Sequence, residues 1–98
     1  MDLRNDTPTA KVSFPIALHA KIGNRETVMA TGRTVRELID ALELDFPGVR
    51  FNLCYETGEL RPFVNIFLNR ENIRYLQGLD TPIHDGATLH IFPSVAGG

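Results

Sequence analysis

Short stretches of the chain alternate between apolar and polar residues, as expected for strands with one buried face. In the last of them, Leu89 and Ile91 alternate with Thr88 and His90. Another stretch is rich in β-branched and aromatic residues, which favour strands. The pattern predicts strands over 11–18, 26–30, 61–69 and 87–92, with a short additional piece over 72–76.

The first two predicted strands are separated by residues 22–25, which include Gly23 and Asn24 and are typical of a turn. This spacing predicts a β-hairpin. Pro15 falls inside the first strand, and because proline has no backbone N–H, we expect its position to be unpaired or bulged. Pro93 should close the last strand for the same reason.

The clearest helix signal is Thr34 followed three residues later by Glu37, since such a pair can satisfy two backbone N–H groups, the threonine's own among them. Apolar residues then recur at helical spacing, with charged residues on the other side. Pro47 and Gly48 end the pattern. The apolar positions are Val35, Leu38, Ile39, Leu42 and Phe46. We predict one amphipathic helix of about three turns that covers a face of the sheet.

In chain order the predicted elements run β-β-α-β-β-β, with one main helix crossing a mixed sheet of about five strands. This is the order of the ubiquitin-like β-grasp fold, an α+β architecture. We assign residues 1–92 to one β-grasp domain and residues 93–98 to a flexible C-terminal tail that ends in Gly-Gly. Two stretches show no clear period: 49–60, with a turn at Thr57-Gly58, and the loop 77–86.

Length and composition narrow the function classes. The 98 residues suit one domain with a modest core, and ten Lys and Arg residues are outnumbered by twelve Asp and Glu. The basic residues are scattered, which disfavours a nucleic-acid partner. No apolar run approaches the roughly 18 residues that a membrane span requires. With a single cysteine, Cys54, the chain fits a reducing compartment, and we expect a cytoplasmic protein.

Conventional catalytic groups are sparse. His19, His84 and His90 are dispersed without the spacing of a metal site or a catalytic triad, and we interpret them as surface residues. Cys54 follows apolar neighbours, which favours a small buried side chain over a nucleophile. No phosphate-binding glycine loop is visible. We therefore expect a protein that is not itself an enzyme and binds no cofactor or metal.

The chain's last six residues are Pro93-Ser94-Val95-Ala96-Gly97-Gly98. A chain end usually frays without a role. Two terminal glycines, however, offer the smallest cross-section and the widest backbone freedom for entering a narrow enzyme channel. A free glycine carboxylate, with a reference pKa of about 3.5, is ionised and unreactive at neutral pH. Adenylation by ATP would activate it, and sulfur could then displace AMP to leave a nucleophilic thiocarboxylate.

Residues 61–98 carry a resemblance to the ThiS/MoaD family of ubiquitin-like sulfur carriers, and within it to the branch that serves cysteine formation. The matching residues are Phe63-Val64-Asn65-Ile66, Asn69, Ile73-Arg74-Tyr75, Gly78-Leu79, Thr81, Asp85-Gly86 and Phe92 to Gly98. The N-terminal half agrees in the order of strands and helix. Residues 87–98 also resemble the end of ubiquitin without gaps.

The resemblance implies that a ubiquitin-activating-like adenylyltransferase uses ATP to adenylate Gly98, which then carries the thiocarboxylate. In one route a PLP-dependent cysteine synthase accepts the sulfur, and a zinc metalloprotease trims the new cysteine from Gly98. In another, the large subunit of molybdopterin synthase receives the tail. A protein modifier joined to lysines through Gly98, and an interaction domain with an inert tail, remain alternatives.

The comparison with ubiquitin also places Phe92 on the exposed side of the sheet. By alternation Phe63 and Phe67 share that side, which would give an apolar patch beside the tail; alternatively these rings are core or covered by a loop. If exposed, the patch is where an activating enzyme or acceptor docks. The predicted partner contacts are Phe63, Phe67, Phe92, Val95 and Ala96, with Gly97 and Gly98 at the reactive end.

Overall fold

The computed structural model describes residues 6–93, which form a five-stranded sheet with helices on one face. Strand β1 spans Thr9–Ser13, β2 Thr27–Thr31, β3 Val64–Leu68, β4 Glu71–Asn72 and β5 Thr88–Pro93. Helix α1 spans Val35–Asp45 and α2 Val49–Leu53. Three 3₁₀ segments cover Ile16–Ile22, Ile73–Tyr75 and Gly78–Asp80. The predicted order of strands and main helix is therefore confirmed.

The strands lie in the order β2-β1-β5-β3-β4, so the last strand is the central one. β5 runs parallel to β1, with Leu89 opposite Val12, and antiparallel to β3, with Ile91 opposite Ile66. These four side chains are buried in the same hydrophobic core as the apolar residues of α1. Because neighbouring residues of a strand point to opposite faces, this register fixes which residues form the outer face.

Helix α1 begins as its sequence predicts. The Glu37 N–H donates to Thr34 Oγ1 over 3.2 Å, while Glu37 Oε1 accepts from the Arg33 N–H over 2.8 Å. The sequence predicted that the Glu37 carboxylate accepts the N–H of Thr34, the cap residue. In the structure it accepts instead the N–H of Arg33, the residue before the cap. The predicted apolar stripe is buried from Val35 to Leu42, and Phe46 packs at its edge.

Gly32 brings the end of β2 against the first turn of α1. A Cβ at this position would lie 2.8 Å from the Leu38 nitrogen and 2.9 Å from the Glu37 carbonyl carbon. Such distances are too short for a side chain, so the helix can approach the strand this closely only because residue 32 is glycine.

The first predicted strand was wrong beyond Ser13. Pro15 is unpaired, one of the two predicted outcomes, but it lies outside the strand and precedes the 3₁₀ segment Ile16–Ile22, because its missing N–H cannot continue the pairing. Ile16, which the alternation placed on the buried face, is 84% exposed. The antiparallel pairing of β1 with β2 is confirmed, through a longer connection than a tight hairpin.

Two further regions differ from the prediction. The piece predicted over 72–76 pairs only at Glu71–Asn72, after which Asn72 Oδ1 accepts the Arg74 N–H and the chain turns into a 3₁₀ segment. The stretch 49–60, which has no clear period, contains α2. This helix starts after Gly48, whose φ is 101°, and buries Val49 and Leu53, one helical turn apart.

Candidate functional site

The site predicted from the sequence is the end of β5 and the residues that follow it. Within the described part of the chain, β5 pairs as far as Pro93, whose backbone lies opposite Val64 of β3. Hydrogen bonds to β1 and β3 on its two sides anchor this strand in the sheet. The predicted tail residues Val95, Ala96, Gly97 and Gly98 lie outside the described residues, as does the Pro93 side chain.

Beside this strand end, three side chains form a cluster on the outer face of the sheet. The Phe67 and Phe92 rings meet edge to face with centroids 5.8 Å apart, and the His90 ring stacks on Phe92 at 6.0 Å. Phe92 is 48% exposed, while Phe67 and His90 are half-buried. We refer to Phe67, His90 and Phe92 as the outer aromatic cluster.

The register explains the cluster, since Phe67 lies directly opposite His90 and Asn65 opposite Phe92. The sequence placed Phe67 and Phe92 on this face, and the structure shows both there. His90 was interpreted only as a surface histidine, although its alternation with Ile91 already put it on the same side as Phe92.

Phe63 lies just before β3, in a turn closed by a hydrogen bond from the Val64 N–H to the Arg61 carbonyl. It is 49% exposed, so it is not part of the core. The two ring contacts of the outer aromatic cluster do not include it. The structure thus brings Phe67 and Phe92 together and places Phe63 one residue beyond the Val64–Pro93 pair.

Comparison with known proteins agrees with this architecture. The family model described as the ThiS family matches residues 12–98, which include the outer aromatic cluster and both terminal glycines.

The chain belongs to the ThiS family.

Relatives of this ThiS-family chain carry two kinds of name. The sulfur carrier protein CysO of Mycobacterium tuberculosis is 39% identical over 89 residues, which cover 89% of this chain and 96% of CysO. The small archaeal modifier protein 3 of Haloferax volcanii is 37% identical over 65 residues, covering 66% of this chain and 70% of that protein. Both comparisons span most of the relative.

Among solved structures, the Amycolatopsis orientalis BexX/CysO complex contains a chain that is 39% identical to this one. The two superpose with a TM-score of 0.84 over 91% of this chain and 99% of the other. The ubiquitin-like β-grasp fold is thereby confirmed, as is the prediction of a ThiS-type sulfur carrier. The relatives with the sulfur-carrier name are small carriers rather than enzymes.

Cys54 of the ThiS-family chain is buried, with 3% of its surface exposed, in a bridge to Leu60 at the end of α2. Burial raises the pKa of its thiol, because the thiolate would lose its hydration. A thiol in this environment is a poor nucleophile at neutral pH. This agrees with the interpretation of Cys54 as a core residue.

The other features of the ThiS-family chain, within residues 6–93, do not indicate a second candidate site. Between residues 6 and 93, no group of three or more His, Cys, Asp or Glu residues is placed to hold a metal ion. An open groove between α1 and the loop after α2 is lined by Arg36 and Arg50, but these guanidinium groups pair with Asp80 and Asp40. None of the helices in that range is long and apolar enough to cross a membrane.

Proposed function

We propose that this chain carries sulfur as a thiocarboxylate on Gly98 and supplies it for the formation of cysteine. The observation that carries the proposal is the family match, which extends through residue 98 and so includes the Gly-Gly pair. The similarity to CysO over nearly its whole length favours cysteine as the product. Cytoplasmic location is part of this proposal.

The chemistry takes place in two steps, both on a partner enzyme. A carboxylate oxygen of Gly98 attacks the α-phosphorus of ATP, and pyrophosphate leaves to give an acyl adenylate. A sulfide nucleophile then attacks the carbonyl carbon; the C–S bond forms, the C–O bond to AMP breaks, and a proton is lost. The carrier supplies only the acyl group, and ATP binds to the partner.

In this proposal the folded domain fixes the position from which the C-terminal residues extend. β5 pairs with β1 as far as His90 and with β3 as far as Pro93, so the chain leaves the sheet at a defined point opposite Val64. The outer aromatic cluster spans β5 and its neighbour β3 and exposes apolar surface, which is typical of a docking surface. We propose that it and Phe63 contact an activating adenylyltransferase, and that Val95, Ala96 and Gly97 thread into its active site.

The acceptor in this proposal is a PLP-dependent cysteine synthase, with a zinc metalloprotease releasing the product. The large subunit of molybdopterin synthase is the alternative acceptor. The BexX/CysO complex supports the general point that a folded carrier of this kind docks on another protein. Incubating the thiocarboxylate form with each acceptor and assaying for cysteine or sulfur-bearing pterin separates the two routes.

Mass spectrometry tests the carrier function directly. With ATP, sulfide and the cognate activating enzyme, the intact mass should rise by the replacement of one oxygen atom by sulfur. The variant lacking Gly98 is the matched control and should not change. An unchanged mass for the full chain, under conditions where a known carrier of the family is converted, would contradict the proposal.

A second function, protein modification, is favoured by the similarity to small archaeal modifier protein 3. It would use the same adenylate but transfer Gly98 to lysine amines as an isopeptide. Adducts of high molecular weight that disappear when Gly97 and Gly98 are deleted would support it. Their absence in cells that contain the thiocarboxylate would leave sulfur transfer as the function.

A further inference from the structure

The turn formed by residues 61–64 lies directly beside the point where the tail leaves the sheet. Its last residue, Val64, is the register partner of Pro93, and the Val64 N–H donates to the Arg61 carbonyl over 3.0 Å. Phe63 is half-exposed within it. The contacts that hold this turn therefore determine the position of Phe63 and that of the Val64 backbone, which lies opposite Pro93.

Arg74 holds the turn from the 3₁₀ segment Ile73–Tyr75. Its Nη2 lies within hydrogen-bond distance of three carbonyl oxygens, Val64 at 2.6 Å, Arg61 at 2.9 Å and Pro62 at 3.3 Å, so that two of them share one of its two hydrogens. Three carbonyl dipoles that converge on one point repel each other unless a cation or water lies between them. A guanidinium group suits this role because it is always charged and donates in a fixed geometry.

Arg74 is itself held in place. The neighbouring Ile73 is fully buried, and the Arg74 N–H is capped by Asn72 Oδ1 at 2.9 Å. On the other side of the turn, the Arg61 guanidinium packs over the Phe51 and Tyr55 rings at 4.7 and 4.6 Å, and its Nε donates to the Phe51 carbonyl. The turn is thus attached both to the 3₁₀ segment and to α2.

We propose that Arg74 is a positioning residue for the reaction at the tail: by holding the carbonyls of the 61–64 turn, it keeps Phe63 and the backbone partner of Pro93 in the arrangement that the activating enzyme recognises. The inference rests on the proposed function. It extends the recognition surface from the outer face of the sheet to the turn at its end, and assigns Arg74 a role that acts through the backbone of that turn.

Arg74→Ala tests this inference through pyrophosphate exchange catalysed by the cognate activating enzyme, with the carrier concentration varied. We expect KM for the carrier to rise about tenfold with kcat nearly unchanged, the scale of one lost charge-assisted hydrogen bond. Val28→Ala, in β2 at the opposite edge of the sheet, is the control for lost stability. An equal KM for the two variants would overturn the inference.

Hydrogen exchange provides a readout that needs no enzyme. The Val64 amide, which closes the turn, should exchange faster in Arg74→Ala than in Val28→Ala, whereas the Leu89 amide in the central strand should exchange alike in both. Unchanged exchange at Val64 would show that Arg74 does not hold the turn.

Phe63→Ala covers the case in which Arg74→Ala does not fold. Because Phe63 is half-exposed, the variant should fold normally and still raise KM, whereas Leu44→Ala, which removes an 84% exposed side chain from α1, should not. Equal KM values for Phe63→Ala and Leu44→Ala would show that the turn is not part of the recognition surface. If the wild-type chain is not adenylated at all, the proposed function is wrong. If it is adenylated normally and the variants have the same KM as the wild type, only this inference is wrong.

Discussion

The two faces of the sheet differ in composition: the strand residues of the inner face are apolar, whereas most of those on the outer face are polar. On the inner face Val12, Ile66 and Leu89 are completely buried beneath α1. On the outer face Met29 is 60% exposed and Phe92 48% exposed. The inner face therefore stabilises the domain, whereas the few apolar side chains of the outer face remain partly in contact with solvent.

The largest expected effect is on the inner face. Ile66→Ala should lower the free energy of unfolding by about 3 kcal/mol, since it removes a fully buried side chain and leaves a cavity under α1. Phe67→Ala, the next residue on the opposite face, is the control and should cost clearly less. Chemical denaturation measures both, and equal losses would contradict the comparison of the faces.

Next in size is the contact between β2 and α1, which closes the inner face. Gly32→Ala places a Cβ 2.8 Å from the Leu38 nitrogen, so the helix must shift. We expect a loss of about 1–3 kcal/mol in the free energy of unfolding. Thr31→Ala, at the exposed neighbouring position, should change stability by less than about 0.5 kcal/mol. An unchanged melting temperature for Gly32→Ala would show that the helix is not closely packed against β2.

A smaller effect on stability is expected on the outer face. Phe92→Ala should change the free energy of unfolding by less than about 1 kcal/mol, because half of the ring is already in water. It should nevertheless raise KM for the carrier in the adenylation assay, whereas Met29→Ala, on the far strand of the same face, should not. A large loss of stability with an unchanged KM would assign the outer aromatic cluster to the core instead.

The smallest expected effect concerns how α2 is joined to α1. The pKa of Glu43 is lowered because its carboxylate accepts the backbone N–H groups of Gly48, at 3.0 and 3.2 Å, and of Arg50 at 2.8 Å. Its stabilisation is therefore present above the pKa of the unfolded chain and is lost as pH falls through the lower folded value. In Glu43→Gln, denaturation midpoints measured across this acidic range should depend less on pH than in the wild type.

Much of the site could be predicted from the alternation of β3 and β5. The shared face of Phe92 and Phe67 follows from the period of two, the exposure of Phe92 was implied by the resemblance to ubiquitin, and the start of α1 follows from Thr34 and Glu37. The 3₁₀ segment after Pro15 could not be predicted, because the alternation continues through Ile16 and only the proline opposes it. Helix α2 was missed since one turn with two buried residues, Val49 and Leu53, is too short to show a period.

The sequence by itself determined which residues share a face, where the main helix begins and which family the C-terminal half resembles, because these depend on local spacing and side-chain chemistry. Only the tertiary structure decided that β5 lies between β1 and β3, that the Phe67 ring meets the Phe92 ring and that Arg74 binds the carbonyls of the 61–64 turn. These contacts join residues far apart in the chain, so periodicity does not encode them. They depend on strand register and on the meeting of separate segments in the folded domain.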